Sequence, residues 1–560
     1  MSGFDERFDF IVAGSGGGSM CAALVLRSAG KRVLILEKED LVGGTTARSG
    51  GVMWIPDNPF MRRDVVDDSV EQACAYLDSL IADRADTQGT SPRRRRRYVE
   101  EASRMVEFLV SQGIRLNRVR EWPDYYDEKP GGSVAGRTVV AELFNVNELG
   151  AWKQRLRAGF LQVPASLEEA LQLPSYKRSW PARWLMLKVA LRGVAARLTG
   201  KRWVSAGAAL QGRMLQAALR AGVEIRTGTP VVELIVEDGA VRGVVARSEG
   251  RLRRIGAELG VLVNAGGFAR NQAMRDHYQP GTSVQWTMAS SGDTGELIEE
   301  MMVHGAAVAQ MEEMVGTQLT LPPGSEDADF KATAQRLTAA PHAILVDQSG
   351  VRYMNEGGSY MAYCKGMFAR HRSVPAVPSW ALFDSQLLGK TMLAGTLPGT
   401  RKPQRWRDAG YLHEAATLDE LARSLKMEAA TLRATVERFN GFVDVGRDAD
   451  FCRGERAYDR WLGDPLQAPS PSLGKIEQAP FYAVPVVPGD VGTYGGVVTD
   501  EHARVLRADG SVIDGLYATG VSTASVMGRC YPGAGCSIGP SFVWGWVAAT
   551  HAMSPLRGEG

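Results

Sequence analysis

This 560-residue chain lacks the features that mark exported, membrane-spanning and metal-binding proteins. Its first residues, "MSGFDERFDF", are acidic where a signal peptide needs a basic stretch followed by an apolar one. No uncharged apolar run reaches the length that crosses a bilayer. Six cysteines are scattered without a CxxC or zinc-like spacing, which favours free thiols in a reducing compartment. We therefore expect a cytoplasmic protein without a metal site.

The chain also lacks an excess of charge of either sign. Its formal net charge of +2 gives no overall electrostatic attraction for nucleic acid. The densest basic run, "SPRRRRRYVEEASRM" at 91–105, is interpreted as an exposed helix start whose arginines pair with Glu100 and Glu101. We therefore predict no nucleic-acid partner. The length favours two domains or one elaborated domain.

The N-terminal stretch predicts a strand, a glycine turn, a helix and a second strand. In "FDFIVAGSGGGSMCAALVLRSAGKRVLILEKED" the first strand covers 8–13, the helix ends near Gly30, and the second strand covers 32–36. Gly14 permits the tight turn, Gly16 lets the backbone approach a pyrophosphate, and the helix N-terminus provides free N–H groups. This pattern predicts a dinucleotide-binding unit.

Two further features of this unit bear on the ligand. Glu37, which directly follows the second strand, is placed to accept hydrogen bonds from a ribose. Ser19 stands where the motif has Gly or Ala, and it is small enough to keep the close packing. The next glycine cluster, "LVGGTTARSGG" at 41–51, offers backbone donors along an extended ligand, which favours FAD.

Segments far along the chain complete the predicted ligand domain. "GVEIRTGTPVVELIVEDGAVRGVVA" at 222–246 alternates apolar residues around a hairpin turn at Asp238–Gly239. "LGVLVNAGGFARN" at 259–271 is a strand that enters a glycine turn, and 494–525 contains another hairpin and a strand that ends in a glycine turn at 516–520. The ligand domain is therefore discontinuous in sequence.

These motifs resemble those of a known group of flavoproteins. "GSGGGS", "GGTTARSGG", "NAGGF" and "DGLYATG" are together similar to the group containing soluble fumarate reductases and 3-ketosteroid dehydrogenases. "VMGRCYPGAGCSIGP" and "PDYYDEKPGG" resemble segments of the 3-ketosteroid Δ1-dehydrogenases. The resemblance implies an α/β fold with a discontinuous, Rossmann-like FAD-binding domain, 1–285 and 485–560, and an inserted α+β catalytic domain, 286–484. A basic, Trp-rich insertion is expected near 150–205.

The implied activity is FAD-dependent removal of hydrogens from C1 and C2 of a 3-keto-4-ene steroid. Desaturation beside a ketone needs a base, a hydride acceptor such as flavin N5, and donors for the developing enolate oxygen. No histidine lies in the motifs, so we expect tyrosines to perform the acid–base work. The reaction also needs an electron acceptor, whose identity the sequence leaves open.

The resemblance assigns roles to individual residues. Tyr360, four residues after Glu356, matches the base, and Tyr125 matches the partner that stabilises its charge. Tyr531 and the backbone N–H of Gly535 match the donors to the C3 oxygen. Tyr126 and Tyr363 stay open as alternatives and as pocket residues.

The FAD is expected to bind noncovalently, because Arg48 stands in the glycine cluster where covalent attachment would need a nearby histidine. The residues predicted to bind FAD are Gly14, Gly16, Gly17, Gly18, Ser19, Glu37, Lys38, Gly44, Thr45, Thr46, Ser49, Gly50, Gly51, Val232, Ala265, Gly266, Gly520, Ser537 and Ile538.

The segment 175–203 combines eight basic residues, three tryptophans and several leucines with no acidic residue. Such a composition suits a helix that lies on an anionic membrane surface, which would place the protein at the inner face of the cell membrane. The alternative is a solvated helix packed on its own domain.

Two other activities share the FAD motifs. A Δ4-(5α)-ketosteroid dehydrogenase is one; a fumarate-reductase-like enzyme is the other, but it needs cations for a dicarboxylate, and Arg529 is the one cation beside "YPGAG". A flavin-binding protein without turnover is a third interpretation, which the paired tyrosines disfavour.

Overall fold

The elements of the chain form two large sheets and several small ones. The computed structural model describes residues 3–81, 88–161, 163–325 and 328–554. The strands are β1 Glu6–Ala13, β2 Val33–Leu36, β3 Val52–Trp54, β4 Leu116–Arg118, β5 Thr138–Ala141, β6 Phe144–Asn145, β7 Trp203–Val204, β8 Glu224–Arg226, β9 Val231–Glu237, β10 Ala240–Ser248, β11 Arg251–Val263, β12 Val308–Ala309, β13 Met314–Thr320, β14 Ala332–Thr333, β15 Ala343–Val346, β16 Ser379–Asp384, β17 His413–Ala415, β18 Phe481–Thr493, β19 Gly496–Val497, β20 Arg504–Leu506 and β21 Val512–Ala518.

The helices surround these sheets and connect their strands. The α-helices are α1 Gly17–Ser28, α2 Gly44–Arg48, α3 Pro59–Arg63, α4 Val70–Leu80, α5 Pro92–Ser111, α6 Leu167–Gln172, α7 Trp180–Leu198, α8 Ala206–Arg220, α9 Gln272–Tyr278, α10 Glu296–Val303, α11 Gln335–Ala339, α12 Tyr360–His371, α13 Ser385–Leu388, α14 Gln404–Asp408, α15 Leu418–Ser424, α16 Ala429–Val445, α17 Ala457–Leu462 and α18 Ile538–Ala552. Short 3₁₀ helices cover Val146–Gln154, Leu173–Lys177, Val284–Trp286 and Gly520–Ser522.

The eight-stranded sheet has the order β20-β21-β11-β1-β2-β8, with β10 paired to β11 and β9 to β10. β1 pairs in parallel with both β2 and β11, and β11 pairs in parallel with β21. The C-terminal strands therefore complete a sheet that the N-terminus begins, which confirms the predicted discontinuous FAD-binding domain. The carboxyl ends of these parallel strands meet at one edge, where open α/β sheets bind ligands.

The sequence patterns that predict β1, β2 and the hairpin of β9 and β10 have clear physical causes in this sheet. β1 ends in the buried apolar run 10–13, and every residue of β2 is apolar and buried. The turn between β9 and β10 has φ values of 51° at Asp238 and 78° at Gly239. Positive φ at both central residues is what a two-residue hairpin turn requires, and Asp-Gly supplies it at low cost. The hairpin lies where the sequence predicts it.

A second, antiparallel sheet has the order β14-β13-β18-β16-β15, with β17 paired to β18. Its strands fall between β11 and β20 in sequence, and α11 to α17 lie in the same stretch of chain. This is the predicted α+β insertion. The predicted division at residues 285 and 485 stays a prediction.

The last helix, α18, packs closely on α1. A Cβ atom at Gly17 would lie 1.9 Å from the Phe542 ring, and one at Gly18 would lie 2.2 Å from the carbonyl oxygen of Ser541. No side chain fits in this contact, so these two glycines allow the helices to approach each other.

The basic helix α5 is less exposed than predicted. Arg94 and Arg95 are buried, with the Arg94 guanidinium 4.6 Å from the Trp544 ring centroid and Arg95 Nε 2.8 Å from Asp78 Oδ1. Arg96 and Arg97 form the predicted ion pairs with the glutamates four residues later. The arginine run is therefore partly a packing element. Within the described ranges, no helix combines the length and apolar character needed to cross a membrane.

Candidate active site

A cavity of about 450 Å³ lies at the carboxyl ends of the parallel strands. It is bounded by the first glycine turn, by α2, by the turn after β11 and by the start of α18. Fourteen of the residues predicted to bind FAD line it: Gly14, Gly16, Glu37, Lys38, Gly44, Thr45, Thr46, Ser49, Val232, Ala265, Gly266, Gly520, Ser537 and Ile538.

The other five predicted residues lie outside the lining. Gly17 and Gly18 face α18, as described above. The Ser19 hydroxyl accepts a hydrogen bond from Asn264 Nδ2 at 3.0 Å. Gly51 has a φ of +62°, and a Cβ there would lie 2.4 Å from the backbone nitrogen of Gly207. Gly17, Gly18, Ser19 and Gly51 therefore make close contacts with other parts of the protein, and Gly50 also lies outside the lining.

Glycines at two turns keep the cavity wall free of side chains. Gly14 has a φ of +96°, and a Cβ there would lie 2.3 Å from the carbonyl oxygen of Asn264. Gly520 has a φ of +66°, and its Cβ would lie 2.5 Å from Asn264 Oδ1. Since an L side chain fits neither position, the backbone itself forms this surface, as phosphate binding requires.

Glu37 is held rigidly at the end of β2. Its Oε2 accepts hydrogen bonds from the backbone nitrogen of Ser15 at 3.1 Å and from the Ser15 hydroxyl at 2.5 Å. Its Oε1 accepts one from the backbone nitrogen of Glu39 at 2.9 Å. Burial raises the pKa of the Glu37 carboxyl. The residue lines the cavity as an acceptor, which is the position predicted for a ribose contact.

Asp293 is a cavity residue that the sequence analysis missed. It is buried, and one carboxylate oxygen accepts a hydrogen bond from the backbone nitrogen of Gly267. Its other oxygen, Oδ2, is buried with no hydrogen-bond partner in the protein. Burial raises the pKa of Asp293 to about 6. An orphaned acceptor in this position suits a ligand with hydroxyl groups.

Together these features fit FAD. The glycine turns suit a pyrophosphate, and Glu37 and Asp293 offer acceptors to hydroxyl groups of the ribose and ribityl chain. Across the described part of the chain, no group of three or more potential metal-ligating side chains is present.

Three of the predicted tyrosines meet beside this cavity. Their ring centroids lie 5.0 Å apart for Tyr360 and Tyr531, 5.3 Å for Tyr125 and Tyr360, and 6.0 Å for Tyr125 and Tyr531. The Tyr531 hydroxyl lies 3.0 Å from the Ser537 hydroxyl, and Ser537 lines the cavity. The tyrosine cluster therefore borders the predicted flavin site.

The three tyrosines come from distant segments that are fixed to one another. The backbone nitrogen of Tyr125 donates to the carbonyl oxygen of Pro532 at 2.8 Å, and the Tyr76 hydroxyl donates to the same oxygen at 2.7 Å. This places Tyr125 against the loop that carries Tyr531. Tyr360 is the first residue of α12, in the inserted domain.

Gly535 lies in the same loop and has a φ of +99°. A Cβ there would lie 2.5 Å from the carbonyl oxygen of Val52 and 2.6 Å from the backbone nitrogen of Trp54. A side chain at residue 535 is therefore excluded by both conformation and space.

The two alternative tyrosines lie outside this group of three rings. Tyr363 is buried in the core of the inserted domain, and its hydroxyl has no hydrogen-bond partner. Tyr126 is half-buried, with the Arg456 guanidinium 5.9 Å from its ring centroid. The rings of Tyr125, Tyr360 and Tyr531 contact one another, and neither Tyr126 nor Tyr363 shares in these ring–ring contacts.

Burial dominates the acidity of the cluster. It holds the pKa of Tyr125 and of Tyr360 well above the ordinary value of tyrosine, and it raises the pKa of Tyr531 to about 12. Side-chain hydrogen bonding among the three hydroxyls adds smaller influences of both signs. The hydroxyls are therefore coupled proton donors and acceptors in a dry site.

A fourth tyrosine, Tyr458 on α17, joins the cluster and was missed by the sequence analysis. Its ring stacks on Tyr125 with centroids 4.1 Å apart and an interplanar angle of 27°. Its hydroxyl accepts a hydrogen bond from Gln335 Nε2 at 3.0 Å. Residue 458 lies 333 positions after residue 125, so no local pattern points to this pairing.

Comparisons with known proteins agree with this geometry. Residues 9–538 match the model of the FAD binding domain family. A 3-oxosteroid 1-dehydrogenase from Mycobacterium tuberculosis is 37% identical, with 98% of each chain covered. A 4-oxocyclohexanecarboxylate 2-dehydrogenase from Sinomonas cyclohexanicum is 33% identical, covering 99% of this chain and 94% of the other.

A solved structure gives the same result. The 3-ketosteroid Δ1-dehydrogenase from Sterolibacterium denitrificans, in complex with 1,4-androstadiene-3,17-dione, has a TM-score of 0.89 and 33% identity, covering 98% of this chain and 99% of the other. This chain therefore belongs to the FAD binding domain family of flavoproteins, in the group that contains the 3-oxosteroid 1-dehydrogenases.

Proposed function

We propose that this protein is an oxidoreductase that introduces a C1–C2 double bond into 3-keto-4-ene steroids, with noncovalently bound FAD as its cofactor. The observation that carries the proposal is the cluster of Tyr125, Tyr360 and Tyr531 beside the FAD-type cavity. Bound FAD supplies the hydride acceptor for hydrogen leaving C1. The protein must then remove the C2 proton and stabilise the ketone oxygen.

Tyr360 is the proposed base for the C2 proton. A tyrosine acts as a base when its hydroxyl is ionised, and the hydroxyl of Tyr125 is the neighbour that shares the charge. Burial opposes ionisation, which holds the pKa of Tyr360 well above its ordinary value. The proposal therefore implies that activity rises as the pH is raised from neutral toward alkaline.

Tyr531 is the proposed donor to the C3 oxygen, together with the backbone N–H of Gly535. Burial raises the pKa of Tyr531 to about 12, so the Tyr531 hydroxyl is a protonated donor at neutral pH. A donor that stays protonated beside an ionised base allows both groups to act on one enolate. The tight packing around Gly535 supports a rigid position for its N–H.

Noncovalent binding of FAD is supported by the cavity lining, whose described residues include no histidine, cysteine or tyrosine to form a covalent bond. Arg48, in the glycine cluster, lies outside this lining. Its guanidinium donates to Asp329 Oδ1 at 3.0 Å and lies 4.7 Å from the Phe330 ring centroid. This side chain is held by the inserted domain. Heating in acid should therefore release the flavin, and yellow colour that stays with the precipitated protein would contradict noncovalent attachment.

The central experiment is anaerobic mixing of the flavin-loaded protein with a panel of compounds. We expect androst-4-ene-3,17-dione to bleach the oxidised flavin and to yield the 1,4-diene. Bleaching by 5α-androstane-3,17-dione with a 4-ene product would instead favour the Δ4-(5α) activity. Bleaching by 4-oxocyclohexanecarboxylate alone would favour a small-ring substrate, as in the Sinomonas relative. Reoxidation of reduced flavin by fumarate would favour the reductase, and no response would favour a binding protein without turnover.

We further propose that α7 rests on a membrane surface at the inner face of the cell membrane. Its exposed apolar side chains follow one another at intervals of three and four residues and so share one face of the helix. They are Trp180, Trp184, Leu187, Leu191, Val194 and Leu198. Burial of a large apolar side chain contributes roughly 1.5–3 kcal/mol, so a few of them suffice for reversible binding.

The basic residues contribute less than their number in the sequence suggests. Glu169, which lies outside 175–203, pairs with Arg192 at 2.6 Å and with Lys188 at 3.4 Å. Arg178 pairs with Asp464 at 2.8 Å. These cations hold the segment on the protein. Only the remaining basic residues of the segment are available to lipid phosphates, and each contributes about 1 kcal/mol to membrane binding.

Vesicle sedimentation tests this surface. Trp184→Glu and Leu191→Glu should lower binding to anionic vesicles, and they should lower activity on cholest-4-en-3-one more than on androst-4-ene-3,17-dione. Leu252→Glu is the matched control, since Leu252 is also exposed but lies on β11. If the unaltered protein does not bind vesicles at low salt, the membrane proposal is wrong and α7 has only a structural role.

A further inference from the structure

Asp127 lies two residues after Tyr125 and reaches across to the inserted domain. Its Oδ2 accepts a hydrogen bond from the backbone nitrogen of Ala457 at 2.9 Å, and its Oδ1 accepts one from the backbone nitrogen of Tyr458 at 3.0 Å. These two N–H groups begin α17, so both carboxylate oxygens cap one helix start.

The cap comes from a segment 330 residues away because α17 has no cap of its own. Its N-cap residue is Arg456, whose side chain makes no capping hydrogen bond. The first N–H groups of a helix need acceptors, and a carboxylate there is favoured by the helix dipole. Asp127 supplies both acceptors and the negative charge.

The capped helix carries an aromatic column that ends on the tyrosine cluster. Tyr458 stacks on Tyr125 at 4.1 Å and on Trp461 at 6.0 Å. Trp461 in turn stacks on Trp122 at 4.6 Å, three residues before Tyr125. The position of α17 along this column therefore decides how Tyr458 meets Tyr125.

We propose that Asp127 is a positioning residue that fixes Tyr458 against Tyr125 and so sets the geometry of the tyrosine cluster during proton removal. The inference rests on the proposed function, since it assumes that the cluster removes the proton. Asp127 is not among the residues that line the cavity, and it acts through the start of α17.

Few charged and titratable groups lie around Tyr125 and Tyr458. The charges of Tyr458 and Tyr531 and a hydrogen bond with Tyr360 influence the pKa of Tyr125. The charged groups that influence the pKa of Tyr458 include Arg336 and Asp459. A hydrogen bond between the side chains of Tyr125 and Tyr458 influences the pKa of both. Displacement of Tyr458 should therefore change the ionisation of the cluster as well as its shape.

The test compares Asp127→Ala and Asp127→Asn with Thr417→Ala. Thr417 caps α15 in the same inserted domain, with its hydroxyl accepting from the backbone nitrogen of Glu420 at 3.2 Å. All three variants remove capping interactions, so a purely structural role predicts only a lower melting temperature. We expect Asp127→Ala to slow flavin reduction on the order of tenfold to a hundredfold, with a smaller change in steroid KM.

The pH dependence provides a second readout. Both Asp127 variants should shift the alkaline limb of the pH profile for flavin reduction. The shift should be smaller for Asp127→Asn than for Asp127→Ala, because Asn keeps one acceptor oxygen. In a Tyr458→Phe background the Asp127→Asn shift should largely disappear, since the two changes act on one contact. Wild-type rate and pH profile in either folded Asp127 variant would overturn the proposal.

A measurement without substrate separates this inference from the proposed function. Tyrosinate absorbance in the near ultraviolet, followed against pH, should differ between the wild-type protein and Asp127→Asn but not between wild type and Thr417→Ala. If no steroid bleaches the wild-type flavin, the proposed function fails, while this titration still reports on the contact. Identical titration curves for wild type and Asp127→Asn would count against the positioning role.

Discussion

Replacement of Tyr531 by phenylalanine removes one oxygen atom from the centre of the proposed site. The ring packs against Tyr360 at 5.0 Å, Tyr125 at 6.0 Å and Tyr494 at 5.7 Å, and a phenyl ring keeps these contacts. The hydroxyl lies 3.0 Å from the Ser537 hydroxyl and also takes part in side-chain hydrogen bonding with Tyr360. Tyr531→Phe therefore tests the hydroxyl with little change in packing.

The expected loss of activity is larger than the expected loss of stability. Removal of one donor to an oxygen that gains charge in the transition state costs roughly 3–4 kcal/mol, or on the order of 10²–10³ in kcat. Loss of the hydrogen bond with Ser537 costs about 1 kcal/mol of unfolding free energy. The flavin should stay bound, because Ser537 and the rest of the cavity lining are unchanged.

The pH dependence of this effect is also determined by the structure. The pKa of Tyr531 is raised to about 12 by burial, so the hydroxyl is a protonated donor across neutral and moderately alkaline pH. The ratio of wild-type to Tyr531→Phe activity should therefore be nearly constant over that range. A ratio that changes steeply with pH would instead indicate that Tyr531 titrates during turnover.

The assay is anaerobic flavin reduction by androst-4-ene-3,17-dione, together with binding of the 1,4-diene product. Tyr494→Phe is the matched control, because Tyr494 is buried in the same cluster but its hydroxyl donates to the carbonyl oxygen of Cys536 at 3.1 Å. We expect the control to retain most of its rate. Normal reduction and normal product binding by Tyr531→Phe would refute the oxyanion role.

Three further predictions concern the base and the cofactor. Tyr360→Phe should lower flavin reduction by about 10²–10⁴, whereas Tyr363→Phe, whose hydroxyl has no partner, should retain activity; the reverse order would move the base to Tyr363. Tyr125→Phe should shift the alkaline pH profile by removing the group that shares the charge, and an unchanged profile would point to Tyr126. In flavin-free protein, the stability contribution of Asp293 should fall as pH rises from 3.8 through about 6, since the folded state keeps its proton longer than the unfolded state. Thermal melts of Asp293→Asn should lack this slope and show weaker stabilisation by added FAD.

The parts of the fold that the sequence predicts are those with a local backbone requirement. Gly14 needs a φ of +96°, and the turn at Asp238–Gly239 needs two positive φ values. Both requirements restrict residue choice within a few positions, so they leave a pattern that can be recognised. The strands can be recognised because their buried parts are apolar runs, as at 10–13 of β1 and throughout β2.

The missed residues act over distances that leave no such pattern. Asp293, Tyr458 and Glu169 are ordinary side chains in ordinary segments, and their partners lie tens to hundreds of positions away. Glu169 shows the consequence, since it neutralises part of the basic segment 175–203 from outside it. Long-range pairing of this kind depends on tertiary packing, which single-sequence patterns do not record.

Burial of the tyrosines has opposite effects on how much base is present and on how strong it is. Burial disfavours ionisation, and it raises the pKa of Tyr531 to about 12. The same shift makes the ionised hydroxyl a stronger base toward a carbon acid, whose proton is difficult to remove. A cluster of hydroxyls resolves the conflict, because one can ionise while its neighbours stay protonated and donate hydrogen bonds to it. The contact between Tyr125 and Tyr360 crosses from the FAD-binding domain to the inserted domain, so the strength of the proposed base depends on how the two domains meet.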